Sequence, residues 1–258
     1  MDKYEITRIY SEKVEVVVDL IAQEVPLSIR VNDDELVTLL ASPDHCIELA
    51  VGLLYSSGFI SSFSDIEEID VDKQGTIVSI CLKNRQLRKD VEYRALLTSG
   101  CGRGTLFLQA GEISRRSKIK SEIVLHRNRI FELMVDFQSR STGYKQTGGI
   151  HSAALASSSG IHCVYEDIGR HNAIDKILGY VVMHEIDVQD KFILTSGRIS
   201  SEIVLKLNRT DLGLIVSRSA PTNQAINYAR GTGISLIGFV RGRRMNVYYL
   251  NEQVCQIL

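Results

Sequence analysis

The chain has no tryptophan and only three prolines in 258 residues. So little proline leaves small room for a disordered linker. A charge of one sign is missing too. The 30 Lys and Arg residues nearly balance the 31 Asp and Glu, for a formal charge of -1. Bulk charge therefore argues for neither a nucleic acid nor a membrane surface as partner. No run approaches the roughly 18 apolar residues of a membrane span. Met1 to Arg8 is polar and charged, without the apolar core of a signal peptide. The expected compartment is the cytoplasm. The five cysteines, Cys46, Cys81, Cys101, Cys163 and Cys255, are odd in number and widely spaced, and no CxxC pair occurs. That disfavours a disulfide framework and a structural zinc ribbon. What remains is an ordinary globular composition, 44% hydrophobic and 24% charged. The length suits one large domain or two smaller ones.

The stretch from Thr98 to Thr105, TSGCGRGT, stands out. Gly100 and Gly102 flank Cys101 and leave its sulfur unshielded. Arg103 and a helix expected from Thr105 to Gly111 would both favour a thiolate, the nucleophilic form. The bland alternative is a Gly-rich turn that holds a small apolar residue.

Around that loop the pattern is mixed. Alternation predicts strands over 14–20, 24–31, 35–41, 66–71 and 76–82, the last two joined by a turn at Asp72 to Gly75. Ser42-Pro43 predicts a helix start, with Ser42 as N-cap and Pro43 at the first helical position. Cys46, Leu49, Ala50, Leu53 and Leu54 share its apolar face, and Gly58 ends it. His45 is expected on the surface of that helix and Cys46 in the core. The basic run from Gly111 to Glu122 reads as a connector or a solvated surface. It divides an N-terminal α+β domain, 1–112, from a C-terminal α/β domain, 113–258. Past it, helices are predicted over 127–140, 169–185, 200–207 and 222–230. Strands are predicted over 149–157, 161–165, 192–195, 212–217, 234–240 and 245–250. Helices alternating with short apolar strands imply a largely parallel, helix-covered sheet.

Open α/β sheets bind ligands at the carboxyl ends of their strands. Three loops here occupy such places. Ser196-Gly197-Arg198 follows one strand and Ser217-Arg218-Ser219 another, each ahead of a helix. Arg241-Gly242-Arg243-Arg244 follows a third, at a hairpin tip. Hydroxyls, forked guanidiniums and helix N-termini suit a phosphate or pyrophosphate. Plain helix caps and a solvated turn are the alternatives. Two further stretches combine polar chemistry: Tyr144 to Ser152, with His151, and Glu166 to Asn172, with Arg170 and His171. Those two cations fall at a helix start, where the dipole disfavours them; that mismatch hints at function. A metal on His151, Cys163 and His171 has little support in the spacing. Of the neighbours His162 and Cys163, the cysteine is expected to pack and the histidine to face solvent.

The motifs EVPLSIRVND, SPDHCIELAVGLLYSSGFI, TSGCGRG, TGGIHSAAL, EDIGRHNAIDKILG, TSGRISSEIVLK, SRSAPT and GFVRGRRMNVY occur in that order. On them the chain resembles the FdhD/NarQ family, the formate dehydrogenase accessory sulfurtransferases. The resemblance covers most of the chain. It implies a cytoplasmic protein, similar to family members that form homodimers, with a cytidine-deaminase-like C-terminal domain and an N-terminal α+β extension. It implies sulfur taken from a cysteine desulfurase as a persulfide on Cys101. That sulfur would pass to the molybdenum or tungsten bis-guanine-dinucleotide cofactor, bound as cargo, before insertion into formate dehydrogenase. It places Phe239, Val240, Arg241, Gly242, Arg243 and Arg244 in a cofactor-binding segment. No zinc is expected, because the H-x-E and P-C-x-x-C signature of zinc deaminases is absent. One departure stands out. Many members carry CxxC at the cysteine loop, and here the fourth position is Gly104. A non-catalytic chaperone for the same cofactor is therefore the alternative function.

Overall fold

The computed structural model describes residues 1–84, 119 and 121–258. Cys101, the helix expected from Thr105 and the domain boundary at 112/113 lie outside the described residues.

The N-terminal part opens with a two-stranded ribbon, β1 (Asp2–Ile9) against β2 (Val14–Ile21). A four-stranded sheet follows, built from β3 (Val25–Val31), β4 (Asp34–Ala41), β5 (Ile66–Val71) and β6 (Ile77–Leu82) in the order β4-β3-β6-β5. Asn32 and Asp33, at φ 50° and 74°, make the tight turn between β3 and β4. Asp72 closes the β5–β6 turn by accepting from the amides of Thr76 and Ile77 at 2.6 and 2.7 Å. Alternation sends Leu27, Ile29, Val31, Val78, Ile80 and Leu82 inward, into one core with the apolar face of α1 (Cys46–Ser57).

The C-terminal part is a six-stranded sheet in the order β13-β12-β11-β10-β8-β9. Its strands are β8 (His151–Ala156), β9 (Ile161–Asp167), β10 (Phe192–Thr195), β11 (Leu214–Ser217), β12 (Ser235–Arg241) and β13 (Arg244–Tyr249). Both faces are covered, which suits strands that read as unbroken apolar runs. On one face α4 (Arg170–Met183), α5 (Ser201–Leu207) and α6 (Asn223–Thr232) enclose Ala153, Leu155, Ile193, Ile215 and Leu236. On the other, α2 (Arg127–Arg140) lays Ile130, Leu133, Met134 and Phe137 over Ala154, Ala156, Leu194, Val216 and Ile237. A short parallel pair, β7 (Ile123–Leu125) with β14 (Cys255–Ile257), adds to that second core.

The two sheets meet through α1 and α4. Gly52 and Gly179 make this possible. A methyl at Gly52 would land on the carbonyl oxygen of Asp175, and one at Gly179 on that of Glu48. Val182, on α4, belongs to the core of the first sheet.

Several expectations change. β1 was not anticipated, because half of its residues are charged and they break up any apolar alternation; neither were β7, β14 or α3 (Thr142–Thr147). The first helix begins at Cys46 instead of Pro43, with His45 left-handed at φ 60° as its N-cap. Ser42 is engaged elsewhere: its amide donates to Asp167 Oδ2 at 3.1 Å and its hydroxyl accepts from the Ile168 amide at 3.1 Å. Those tertiary bonds replace the local cap. The sheet is not largely parallel. Only β10–β11 and β11–β12 run parallel, while β8–β9, β8–β10 and β12–β13 are antiparallel. Hairpin connections at both ends give it this mixed character.

Candidate functional site

The direction of the strands decides where the polar loops fall. Of the three parallel strands, β10 and β11 end level at Thr195 and Ser217, and β12 runs on past them in the same direction to Arg241. β8 runs the other way, with Ala153 opposite Thr195, so its first residue, His151, starts at the same edge. Asp167, at the end of β9, pairs with His151. One edge of the sheet thus receives 151–152, 167–171, 195–200, 217–222 and 239–244.

The loops there are joined to one another. The amide of Ser196 donates to the Ser152 carbonyl at 3.0 Å, and that of Arg218 to the Thr195 carbonyl at 3.2 Å. Ser217 is buried; its hydroxyl donates to the Gly197 carbonyl at 2.7 Å and accepts from the Ser219 amide at 2.9 Å. Ile199 and Pro221 form a parallel bridge, and Thr222 caps α6 by accepting from the Ala225 amide at 3.2 Å. Arg241 Nε donates to the Arg218 carbonyl at 3.1 Å. Phe239 stands at φ 52°, in an irregular stretch of β12 between Gly238 and Arg241, with its amide donating to the Ser219 carbonyl at 3.0 Å. The Arg241 guanidinium lies 5.7 Å from the centre of its ring, within cation–π range.

The other half of the edge carries the histidines. Ser196 Oγ accepts from the Ser152 amide at 2.9 Å and lies 3.4 Å from His151 Nδ1. Gly197 sits between His151 and Arg170: a methyl there would come within 2.9 Å of Arg170 Cβ. Burial, then Arg170 and Arg198, hold His151 below its ordinary pKa against the opposing pull of Asp167. His171 Nε2 lies 3.3 Å from Glu202 Oε2 and 3.4 Å from Ser200 Oγ. Burial, aided by Lys206, Arg170 and His151, lowers its pKa to about 3, so it is neutral near pH 7. Burial raises the pKa of Glu202, while Arg170 and Lys206 pull it back. The unfavourable placement of two cations at the start of α4 is thus relieved in part by His171 staying uncharged and by a carboxylate from α5.

Most of the expected residues converge. His151, Arg170, His171, Ser196, Gly197, Arg198, Ser217, Arg218, Ser219, Phe239 and Arg241 to Arg244 lie along this edge. Two are placed differently within it. The Val240 side chain is buried in the core, and the Ser217 hydroxyl is used between loops. Cys163 packs against the core, where burial pushes its thiol up to about 12, and His162 is exposed. Among the described residues no group of three His, Cys, Asp or Glu side chains is arranged to hold a metal ion.

Sequence reasoning missed what stands behind the edge. Lys206 donates to Asp175 Oδ1 at 2.7 Å, and Asp175 also accepts from the Ser56 hydroxyl of α1 at 2.9 Å. Glu166, whose stretch was singled out but whose partners were not, accepts from the Gly143 amide at 2.7 Å and the Ser152 hydroxyl at 2.9 Å. One signal was available: Asp175-Lys176 interrupts the apolar run Ala173 to Leu178. Glu202 and Lys206 look like ordinary residues of a short helix.

The arrangement is that of an α/β protein whose strand-exit loops crowd arginines, hydroxyls and helix starts onto one edge of a mixed sheet. The chain belongs to the FdhD/NarQ family, whose model matches residues 22–255. It is 41% identical over 238 residues to the sulfur carrier protein FdhD of Listeria innocua, covering 91% of each chain. It is 35% identical over 237 residues to the sulfur carrier protein FdhD of Bacillus subtilis, covering 92% of this chain and 90% of that one. In fold it matches the crystal structure of a provisionally assigned formate dehydrogenase accessory protein from Desulfotalea psychrophila. The TM-score is 0.79 at 24% identity, over 98% of both chains.

Proposed function

We propose that this chain is a sulfur carrier for formate dehydrogenase maturation, with sulfur on Cys101 and a guanine-dinucleotide cofactor cradled at the arginine edge. The observation that carries the second half is the convergence of Arg170, Arg198, Arg218 and the Arg241–Arg244 turn, from four separate segments, at one edge. Forked guanidiniums and helix starts recognise phosphate. Arg218 supports it further, since its Nε is buried and has no hydrogen-bond partner among the described residues; such a donor is costly until an acceptor meets it. The first half rests on the Gly-Cys-Gly pattern and on the curated relatives, which are named sulfur carriers.

In this reading the Cys101 thiolate attacks the terminal sulfur of a cysteine desulfurase persulfide. A new S–S bond forms at Cys101, and the desulfurase cysteine leaves as thiolate. The Cys101 S–S bond would then break, with Cys101 leaving as thiolate. The outer sulfur would pass to the molybdenum or tungsten cofactor held as cargo, taking two electrons from a thiol reductant to become sulfide, before the cofactor goes on to formate dehydrogenase. Without the second cysteine of CxxC, transfer needs Cys101 alone. The six-stranded sheet with its helices is read as a cytidine-deaminase-like domain put to binding use. A cytoplasmic homodimer completes the proposal. Among the described residues no helix is long and apolar enough to cross a membrane.

Intact-protein mass spectrometry after incubation with a cysteine desulfurase and cysteine tests it. A gain of one sulfur in the wild type that is lost in Cys101→Ala is the expected result. No gain in the wild type would overturn the carrier and favour the chaperone alternative, in which the cofactor is bound but no sulfur is carried.

A further inference from the structure

Ser196 stands between a backbone donor and a histidine. Its Oγ accepts the Ser152 N–H at 2.9 Å and lies 3.4 Å from His151 Nδ1. A hydroxyl has one proton and two lone pairs. One lone pair is taken by the Ser152 amide, and the hydrogen bonds among the described residues give the Ser196 proton no other acceptor than Nδ1. A neutral imidazole that accepts at Nδ1 carries its own proton on Nε2. The ring is neutral near pH 7. Burial, Arg170 and Arg198 all oppose its protonation, Asp167 only partly offsets them, and the neighbouring His171 is itself uncharged. Gly197 adds the space. Its Cα stands beside both the imidazole and the stem of Arg170, and a methyl there would meet Arg170 Cβ at 2.9 Å and His151 Nδ1 at 3.5 Å.

We propose that Ser196 is a positioning residue that holds His151 as the Nε2–H tautomer, so that the imidazole donates a hydrogen bond to an anionic oxygen gripped by Arg170 and Arg198. This rests on the reading of the edge as a guanine-nucleotide site. The tautomer matters because the other one would turn a lone pair, instead of an N–H, toward the anion. An uncharged donor also adds a directional contact without adding another cation to a crowd of arginines.

The test is long-range proton–nitrogen NMR of the full chain labelled at its six histidines. His151 is assigned with His151→Gln, and spectra are taken at pH 7.5 with and without GDP. The expected wild-type pattern is Nε2 protonated and Nδ1 bare, with Nε2 shifting when GDP is added. Ser196→Ala should give mixed tautomers and weaken GDP binding about tenfold, the value of one hydrogen bond to a charged group. Ser196→Thr, which keeps the hydroxyl, should restore both. An Nδ1-protonated ring in the wild type, or an unchanged tautomer in Ser196→Ala, overturns the proposal. If GDP binds and His151 Nε2 does not move, the donor role alone falls. If GDP does not bind the wild type at all, the nucleotide reading falls and takes the donor role with it.

Discussion

The ammonium of Lys176 lies 2.8 Å from the carboxylate of Asp167, and neither side chain is exposed to solvent. The same carboxylate accepts from the Ser42 amide at 3.1 Å, the Gly169 amide at 2.8 Å and the Asn172 side-chain amide at 2.8 Å. Asn172 in turn donates to the Leu40 carbonyl at 3.0 Å. One buried charge therefore ties the exit of β4 to the end of β9 and the first turn of α4. Arg170 and His171 lie within that tied segment. The N-terminal sheet thus helps set where two residues of the candidate site stand.

Lys176→Ala should be strongly destabilising. It would leave Asp167 charged, buried and without its cation, and breaking such a pair costs about 3–5 kcal/mol. The double variant Asp167→Asn with Lys176→Met removes both charges and should recover a good part of that loss. Urea denaturation followed by circular dichroism reads both. A loss below about 1 kcal/mol in Lys176→Ala would mean that the pair is not buried as described.

Gly52→Ala tests the contact between the sheets. The added methyl meets backbone, the Asp175 carbonyl, instead of the end of a flexible side chain. The helices must separate, and overpacking costs about 1–3 kcal/mol, occasionally more; a methyl that meets backbone belongs at the upper end. Ala has the higher helix propensity by about 1 kcal/mol, so propensity alone predicts the opposite sign. A stabilised Gly52→Ala would show that α1 and α4 do not cross this closely.

The fold was legible wherever a residue's neighbours in sequence decide its state. The helix over 127–140 and the strands over 66–71 and 192–195 coincide with the observed elements, because apolar periodicity there reports burial directly. It was illegible where distant partners decide. Ser42-Pro43 carries a local helix-start signal, but the Ser42 amide and hydroxyl are taken by Asp167 and Ile168, 125 and 126 residues away. β1 is stabilised by pairing with β2 and not by an apolar face of its own, so DKYEITRI gave little alternation to read. Strand direction leaves no mark in periodicity either: a hairpin tip was expected at Arg241 to Arg244, yet the alternation of helices with strands still pointed to a largely parallel sheet, where three of its five strand pairs are antiparallel. The candidate edge was legible because each of these strand exits carries an arginine with serine or glycine beside it. Glu202 and Lys206 were not, since only tertiary packing turns them toward His171 and Asp175.

Phe239 should separate stability from binding. A left-handed conformation costs a non-glycine residue about 1–2 kcal/mol, and Phe239 holds one at φ 52°. Phe239→Gly relieves that strain, so its melting temperature should equal or exceed the wild type's despite the lost ring. Its affinity for GDP should fall, with about 1–3 kcal/mol expected if the ring stacks on the base. Thermal denaturation and titration calorimetry give the two numbers. A marked drop in melting temperature with unchanged GDP affinity would make the ring a packing element and leave the strain without a binding purpose.

The arginine loops are tested by Arg218→Ala and Arg244→Ala. Each should weaken GDP binding by about 1.5–3 kcal/mol, the usual worth of a hydrogen bond to a charged group. The effect should shrink as salt rises for Arg244, which is exposed, and less so for the half-buried Arg218. Calorimetry at low and high salt measures this. Unaltered affinity in both variants would remove these loops from the site.

His171 makes stability depend on pH, and the sign follows from its environment. Its folded pKa is about 3, against an ordinary 6.5. Between those values the unfolded chain binds a proton that the folded chain does not. Stability therefore falls as pH drops through this window, by at most about 1.4 kcal/mol per pH unit from this residue. Glu202 acts in the opposite sense. Its folded pKa is raised, so the folded chain takes up a proton there before the unfolded chain does, and acidification gains stability. His171→Gln keeps an uncharged polar group and removes only the first effect. Between pH 6.5 and 5 the variant should lose less stability than the wild type, by about 2 kcal/mol at most. Urea midpoints at the two pH values decide it. Equal slopes in wild type and variant would mean that His171 is protonated when folded, and would return a charged imidazole to the start of α4.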